Sequence, residues 1–284
     1  MAKLSPPLKQ LINAPFARPG TTPAPAGVAD LYRRIANDAA SRGYGSAPWL
    51  VLSAAASFTV NSPASLHQLF NVATKTSHSS NKPTTSPVTV AETIREVGLK
   101  CISFNGIPRT INSLSGFREG LPGDVVAQLA TTPTRGLNTE NISATNSRGY
   151  ALWNSIYTPF EDKLEQKLAE SHPDLPVHIL GSHYGPLLSD PARSKDNGLA
   201  SIGRCLTSIV AISCLRAQTG VAAQVLSHVF GLRKGVEQGV HRTEAETEEE
   251  ADGLARLATD EGSEWILRSV DSICEAAGRN FAKL

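Results

Sequence analysis

The chain has 284 residues, 40% of them hydrophobic and 19% charged, with a formal net charge of +1. That balance gives no field to draw nucleic acid or anionic lipid, so no nucleic-acid partner is expected. The length suits one large domain or two modest ones at roughly 150 residues each.

Residues 1–29 contain Lys3, Lys9 and Arg18 and no acid. An acid-poor, basic start has the character of a mitochondrial presequence. Six prolines between Pro6 and Pro25 break any long amphipathic helix, so the spacing predicts a disordered or extended lead-in. A first helical unit is expected over residues 30–118. It opens with a short helix from Asp30 to about Ser41. A continuous apolar run from Trp49 to Phe58 follows. Asn61-Ser62-Pro63 then signals a helix start, with Ser62 as cap and Pro63 at the first helical position. Leu66, Leu69, Phe70 and Ala73 continue at helical spacing. Thr74 to Pro87, rich in Ser, Thr, Asn and Pro, predicts an exposed loop. Val90, Ile94, Val97 and Cys101 fall on one helical stripe. Phe104-Asn105-Gly106 stops that helix, and Pro108 opens another with Ile111, Leu114 and Phe117 as its apolar positions.

Residues 119–157 are expected to form an irregular connection, because Gly, Pro, Thr and Asn dominate 119–149. A second helical unit is expected over 158–281. Thr158-Pro159-Phe160-Glu161 has the pattern of a capping box, with Phe160, Leu164 and Leu168 on the buried face. His172, His178 and His183 lie close together in a Pro- and Gly-rich segment that specifies no metal geometry. Leu199, Ile202, Leu206, Ile209 and Val210 mark a strongly apolar helix ending near Gly220. Val221, Val225, His228 and Leu232 share a face of the next. The acidic run Glu244 to Asp252 reads as an exposed helix start, and Leu254, Leu257, Trp265, Ile266 and Val270 continue in register towards Cys274. Alternating β-branched residues are scarce, so the fold class is all-α. The longest uncharged apolar stretches, Trp49 to Val60 and Leu206 to Leu215, fall short of the ~20 residues a membrane helix needs, so no membrane insertion is expected.

Cys101, Cys205, Cys214 and Cys274 form no Cys-x-x-Cys pair and have no His at zinc spacing. They read as reduced, buried, small hydrophobes, with single oxidation of Cys101 or Cys205 as a weaker alternative. The chain closes on Ala282-Lys283-Leu284, which matches the Ser-Lys-Leu type of import signal. It predicts the peroxisomal matrix as location and the import receptor as partner. The mitochondrion is the alternative address.

Two segments together resemble the carboxymuconolactone decarboxylase and alkylhydroperoxidase-D-like superfamily. In Ala91 to Leu114, Phe104-Asn105-Gly106-Ile107-Pro108 followed by Asn112 matches an aromatic, small, Gly-x-Pro pattern. Arg204 to Gly235 is similar to the superfamily's helical hairpin, with His228 and Gly235 in the places of its His and Gly. The Gly-x-Pro turn precedes the His helix, the reverse of one family unit. The resemblance therefore implies an alkylhydroperoxidase-D-like bundle of two units, about 45–118 and 199–280, with His67 on the first hairpin. The chain also resembles fungal peroxisomal members of unknown reaction. Oligomers are common in the superfamily, which makes a homo-oligomer an expected partner arrangement.

The superfamily's peroxidases carry two cysteines ahead of the His. Counting back from His228 gives Val221 and Gln224, and counting back from His67 gives Val60 and Pro63, so thiol peroxidase chemistry is not implied. The decarboxylase branch needs a proton donor and an anchor for an acidic lactone. It implies His228 as catalytic acid or base and Gln224 and Arg204 as substrate-binding residues, on a small acidic or lactone metabolite, without cofactor or metal. The alternative is a non-catalytic scaffold or small-ligand carrier of the same fold, with His228 packed and inert.

Overall fold

The computed structural model describes residues 3–77, 85–191 and 198–278 of the chain. Ala282, Lys283 and Leu284 lie outside the described residues. Every described element is helical, so the all-α architecture stands. Among the described residues no helix is long and apolar enough to cross a membrane.

The lead-in is more ordered than its prolines predict. It forms α1 (Pro6–Ile12), because Pro6 and Pro7 occupy the first turn, where a missing N–H costs nothing. Thr22 then straps the segment to the body, its N–H donating to the Asn61 carbonyl and its hydroxyl to the Val60 carbonyl.

Helices α2 (Val28–Ser41), α3 (Ser46–Thr59) and α4 (Pro63–Ser77) come next. Every residue of α3 from Pro48 to Thr59 is buried, which makes it the central rod. Ser62 caps α4 by accepting the Ser65 N–H at 3.4 Å. Helix α4 runs past Thr74 into the expected loop, and the Thr74 hydroxyl bonds back to the Phe70 carbonyl at 2.9 Å. In α5 (Pro87–Lys100) the predicted stripe Val90, Ile94 and Val97 is buried, with Cys101 just beyond it. Gly98 lets the Phe58 ring rest on α5, where a Cβ would come within 2.4 Å of the ring.

The short α6 (Ile102–Asn105) ends at Gly106, whose φ of 77° turns the chain into α7 (Ile107–Glu119). Ile111 is 57% exposed rather than core, because Thr110, Ser113 and Phe117 take the buried face. After α8 (Gly123–Val126), the connection expected to be irregular carries α9 (Ile142–Tyr157). Its buried positions Thr145, Gly149, Leu152, Trp153 and Ile156 have helical spacing, but the first two are not apolar side chains.

α10 starts at Glu161 and runs to Ser171 (Glu161–Ser171), later than the capping-box pattern predicts. Phe160 becomes its N-cap residue and stays 63% exposed. The Pro- and Gly-rich segment folds as α11 (Asp174–His178) and a wide π-type helix, Ile179–Leu188, pressed against α9 where Gly149 meets Gly185. The chain closes with α12 (Gly203–Gln218), α13 (Ala222–Glu237), α14 (Val240–Glu244), α15 (Glu248–Leu257) and α16 (Asp260–Ala276). The acidic run opens α15, capped by the Thr247 hydroxyl, with Glu248, Glu249 and Glu250 at the positive helix end.

Both predicted helical units contribute to one main core, in which α3 and α12 lie side by side. A smaller cluster joins Leu152, Trp153 and Ile156 of α9 to Leu180, Tyr184 and Leu188. Phe104 touches both clusters. All four cysteines are buried and none is in a disulfide.

Candidate functional site

The hairpin α12–α13 brings Arg204 and His228 together and leaves Gln224 outside. Gln224 sits on the exposed face of α13. His228 is 6% exposed and lies edge-on to two rings, Phe104 at 6.1 Å and Tyr157 at 6.2 Å between centroids. Its Nδ1 is buried without a hydrogen-bond partner. Behind Tyr157 stand Trp153, 4.1 Å away, and Tyr184, whose hydroxyl lies 3.1 Å from that of Tyr157. Burial pushes the His228 pKa down to about 4, and the Arg204 charge adds to that. The imidazole is therefore neutral at pH 7.

Arg204 is almost wholly committed to protein acceptors. Its Nε donates to Ser155 Oγ at 2.9 Å, Nη1 to Ser208 Oγ at 2.8 Å, and Nη2 to the carbonyls of Ser155 at 3.1 Å and Gly231 at 2.7 Å. These bonds tie α12 to α9 and α13. Burial lowers the Arg204 pKa, while the nearby Glu244 carboxylate supports its charge. Glu244 also caps α12, accepting the N–H groups of Arg204 and Cys205.

At pH 7 the arrangement offers no general acid, and only the base role of a neutral imidazole remains. A neutral imidazole at pH 7 has no extra proton to give, and the guanidinium has one N–H left for a substrate. Five cavities among the described residues, of about 70 to 550 Å³, are lined by side chains other than His228 and Arg204. Arg109, just after the Gly106 turn, donates to the Thr59 carbonyl at 3.1 Å and so closes the end of α3. His178 and His183 bond to Ser182 and Ser103, and no group of three His, Cys, Asp or Glu among the described residues is arranged for a metal.

A second polar centre gave no sequence signal. Lys100 is fully buried at the end of α5. Its Nζ donates to Asp190 Oδ1 at 2.8 Å and to the Leu188 carbonyl, and lies 3.6 Å from Glu96. Arg135 pairs with Glu96 at 2.7 Å. Asp190 also accepts from Ser201 and from the Gly203 N–H. Burial raises Asp190, but the Lys100 ammonium, the Gly203 N–H and the Ser201 hydroxyl together outweigh it and hold the carboxyl below its ordinary value. At Glu96 burial wins over Lys100 and Arg135, and the pKa rises.

Sequence reasoning also missed Tyr157, Tyr184, Ser155 and Glu244. The first three lie in segments whose polar and Gly-rich composition hides their helices.

Among curated proteins, the chain is similar to Peroxisomal protein 2 of Saccharomyces cerevisiae. The two are 30% identical over 157 residues, covering 48% of this chain. The chain spans about half the length of that relative, 52%. No family model matches the chain, and no solved structure gives a significant match. The likeness to the carboxymuconolactone decarboxylase and alkylhydroperoxidase-D-like superfamily therefore rests on the motif residues alone.

Proposed function

We propose that this chain is a peroxisomal small-ligand carrier of helical build, in which His228 and Arg204 hold helices together rather than turn over a substrate. The observation that carries the reading is the closure around His228. Two aromatic rings flank it, burial keeps it neutral, and none of the described cavities touches it. The similarity to a protein called Peroxisomal protein 2 supports the location. The Gly106 turn, with Pro108 in the first turn of α7, supports descent from the superfamily named above.

Two experiments test this. The purified chain and His228→Ala are incubated with a panel of lactones and β-keto acids. The expected result is no turnover by either, and turnover by the wild type that disappears in His228→Ala would restore the enzyme reading. A fluorescent tag at the N-terminus is followed in cells with and without Ala282, Lys283 and Leu284. Peroxisomal puncta that become diffuse on removal are expected, and a mitochondrial signal from the full chain would overturn the address.

A further inference from the structure

The Lys100–Asp190 network is a wall between two clefts of opposite character. On one side is a cleft of about 550 Å³ whose lining includes Asp190, Glu244, Glu246 and Glu250. On the other side lie two chambers that share Thr134, Arg135 and Gly136. The larger, about 470 Å³, is lined by Leu99, Leu114, Leu187 and Leu199, with Arg95, Arg118 and the Arg135-paired Glu96 among its polar residues. The smaller, about 200 Å³, is lined by Arg135 and Arg148 together with Thr134, Thr145 and Ser189.

The second side carries positive charge that the protein does not balance. Arg95 is paired with Glu92, Arg135 with Glu96 and, at 3.6 Å, with Asp190, and Lys100 with Asp190. Among the described residues no carboxylate lies within ion-pair distance of Arg118 or Arg148, which leaves a surplus of two cations beside the leucine chamber. Arg148 has one hydrogen bond from its guanidinium, to Thr145 Oγ1 at 3.1 Å. The Nε–H groups of Arg135 and Arg148 are both buried without an acceptor. The Nε–H groups are too deeply buried to meet an incoming oxygen, but Arg148 lines the small chamber with one guanidinium hydrogen bond and no ion pair, and that cation is an unmet demand for anionic oxygen. Water alone supplies oxygen but no charge.

We propose that this double chamber binds an aliphatic molecule ending in an anionic group, a carboxylate or a phosphate. The anionic head lies between Arg135 and Arg148, and the hydrocarbon lies along the four leucines. The inference rests on the carrier reading and names its ligand class. The acidic cleft across the wall repels the same head, so the charge pattern sorts the ligand to one side. Arg118, exposed at the end of α7, stands where it attracts an incoming anion.

The test is calorimetric titration of the full chain with decanoate, decyl phosphate, decanol and inorganic phosphate. Decanoate or decyl phosphate is expected to bind at least tenfold more tightly than decanol, and the tighter of the two names the head group. Inorganic phosphate, which lacks the chain, is expected to bind at least tenfold more weakly than decyl phosphate. Arg148→Gln is expected to weaken binding of the preferred ligand at least tenfold, with partial recovery in Arg148→Lys. Arg148 suits the test because its removal breaks no ion pair. Should Arg148→Gln lose its thermal transition, Arg118→Glu at the exposed rim serves instead, with a loss of at least threefold expected. Equal affinity for decanol and decanoate, no binding of either anion, or undiminished binding in the folded variants overturns the site. His228→Ala is expected to keep full affinity. Lactone turnover with tight decanoate binding would sink the non-catalytic reading and leave this site standing.

Discussion

Two hairpins of this chain each carry a histidine on their second helix, and the two rings have opposite fates. In α3–α4, His67 Nε2 lies 2.9 Å from the Gly116 carbonyl and 3.1 Å from that of Phe117, a geometry in which the ring donates. Its ring stacks on Phe117, and Gly120 leaves it room, since a Cβ there would come within 2.1 Å of the imidazole. In α12–α13, His228 meets ring edges, a neighbouring cation and a nitrogen with no partner. The hairpins alone do not decide the difference. The end of α7 offers carbonyls to His67, whereas α9 and the π-type helix offer His228 an aromatic wall. A His in a matching hairpin is thus weak evidence for matching chemistry, because the third element sets its contacts and hydrogen bonds.

The comparison breaks first at Arg204. Replacing it with Met removes four hydrogen bonds, to the Ser155 and Ser208 hydroxyls and the Ser155 and Gly231 carbonyls, although Gln238 Nε2 still donates to the Ser155 carbonyl at 3.2 Å. A loss of about 3–5 kcal/mol is expected, read from the denaturant midpoint. A loss below about 1 kcal/mol would mean that the guanidinium does not hold α9, α12 and α13 together. The pH dependence is next in size. The folded His228 pKa of about 4 lies below the unfolded value, so the unfolded chain binds the extra proton first. This contribution is whole above about pH 6.5 and is lost as pH falls towards 4, at up to about 3 kcal/mol. Arg204 on α12, Tyr157 on α9 and Tyr184 on the π-type helix are the titratable groups around it, and none gains or loses a proton in that window. His228→Leu is expected to remove that share of the slope, and an unchanged slope would contradict it.

His67→Phe sharpens the other half of the comparison. It deletes the donor to two carbonyls at the end of α7 and is expected to cost about 1–2 kcal/mol. A thermal melt of the single variant checks this, and a neutral result would show that water replaces the imidazole. The smallest effect concerns the thiols. Cys101 and Cys214 lie 3.5 Å apart in the core between α5 and α12, and burial pushes Cys101 well above its ordinary pKa. Maleimide labelling of the native chain is expected to be at least 100-fold slower at these two sites than after unfolding. Rapid native labelling would show that the α5–α12 seam opens.

The sequence revealed the fold where apolar residues recur at helical spacing. The α5 stripe, the Ser62 cap, the Gly106 turn and both hairpins were visible because periodicity and turn chemistry agree there. It failed where close backbone contact replaces side-chain burial. In α9 and the facing π-type helix, Gly149 and Gly185 let two backbones approach, and glycine and hydroxyl residues disguise the pattern. The polar cluster was half legible. His228 and Arg204 followed from the hairpin, but their partners Ser155, Tyr157 and Tyr184 come from the disguised segments. Lys100 resembles an ordinary surface lysine at a helix end, and only the fold brings Asp190, 90 residues away, to its ammonium.

The most direct measurement of the central claim is an NMR pH titration of the His228 imidazole, assigned by comparison with His228→Leu. A ring sealed between Phe104 and Tyr157 beside Arg204 is expected to stay neutral down to about pH 5, with a midpoint near 4. A midpoint near 6.5 would mean that the ring meets solvent, and would contradict its role as a buried, non-catalytic part of the core.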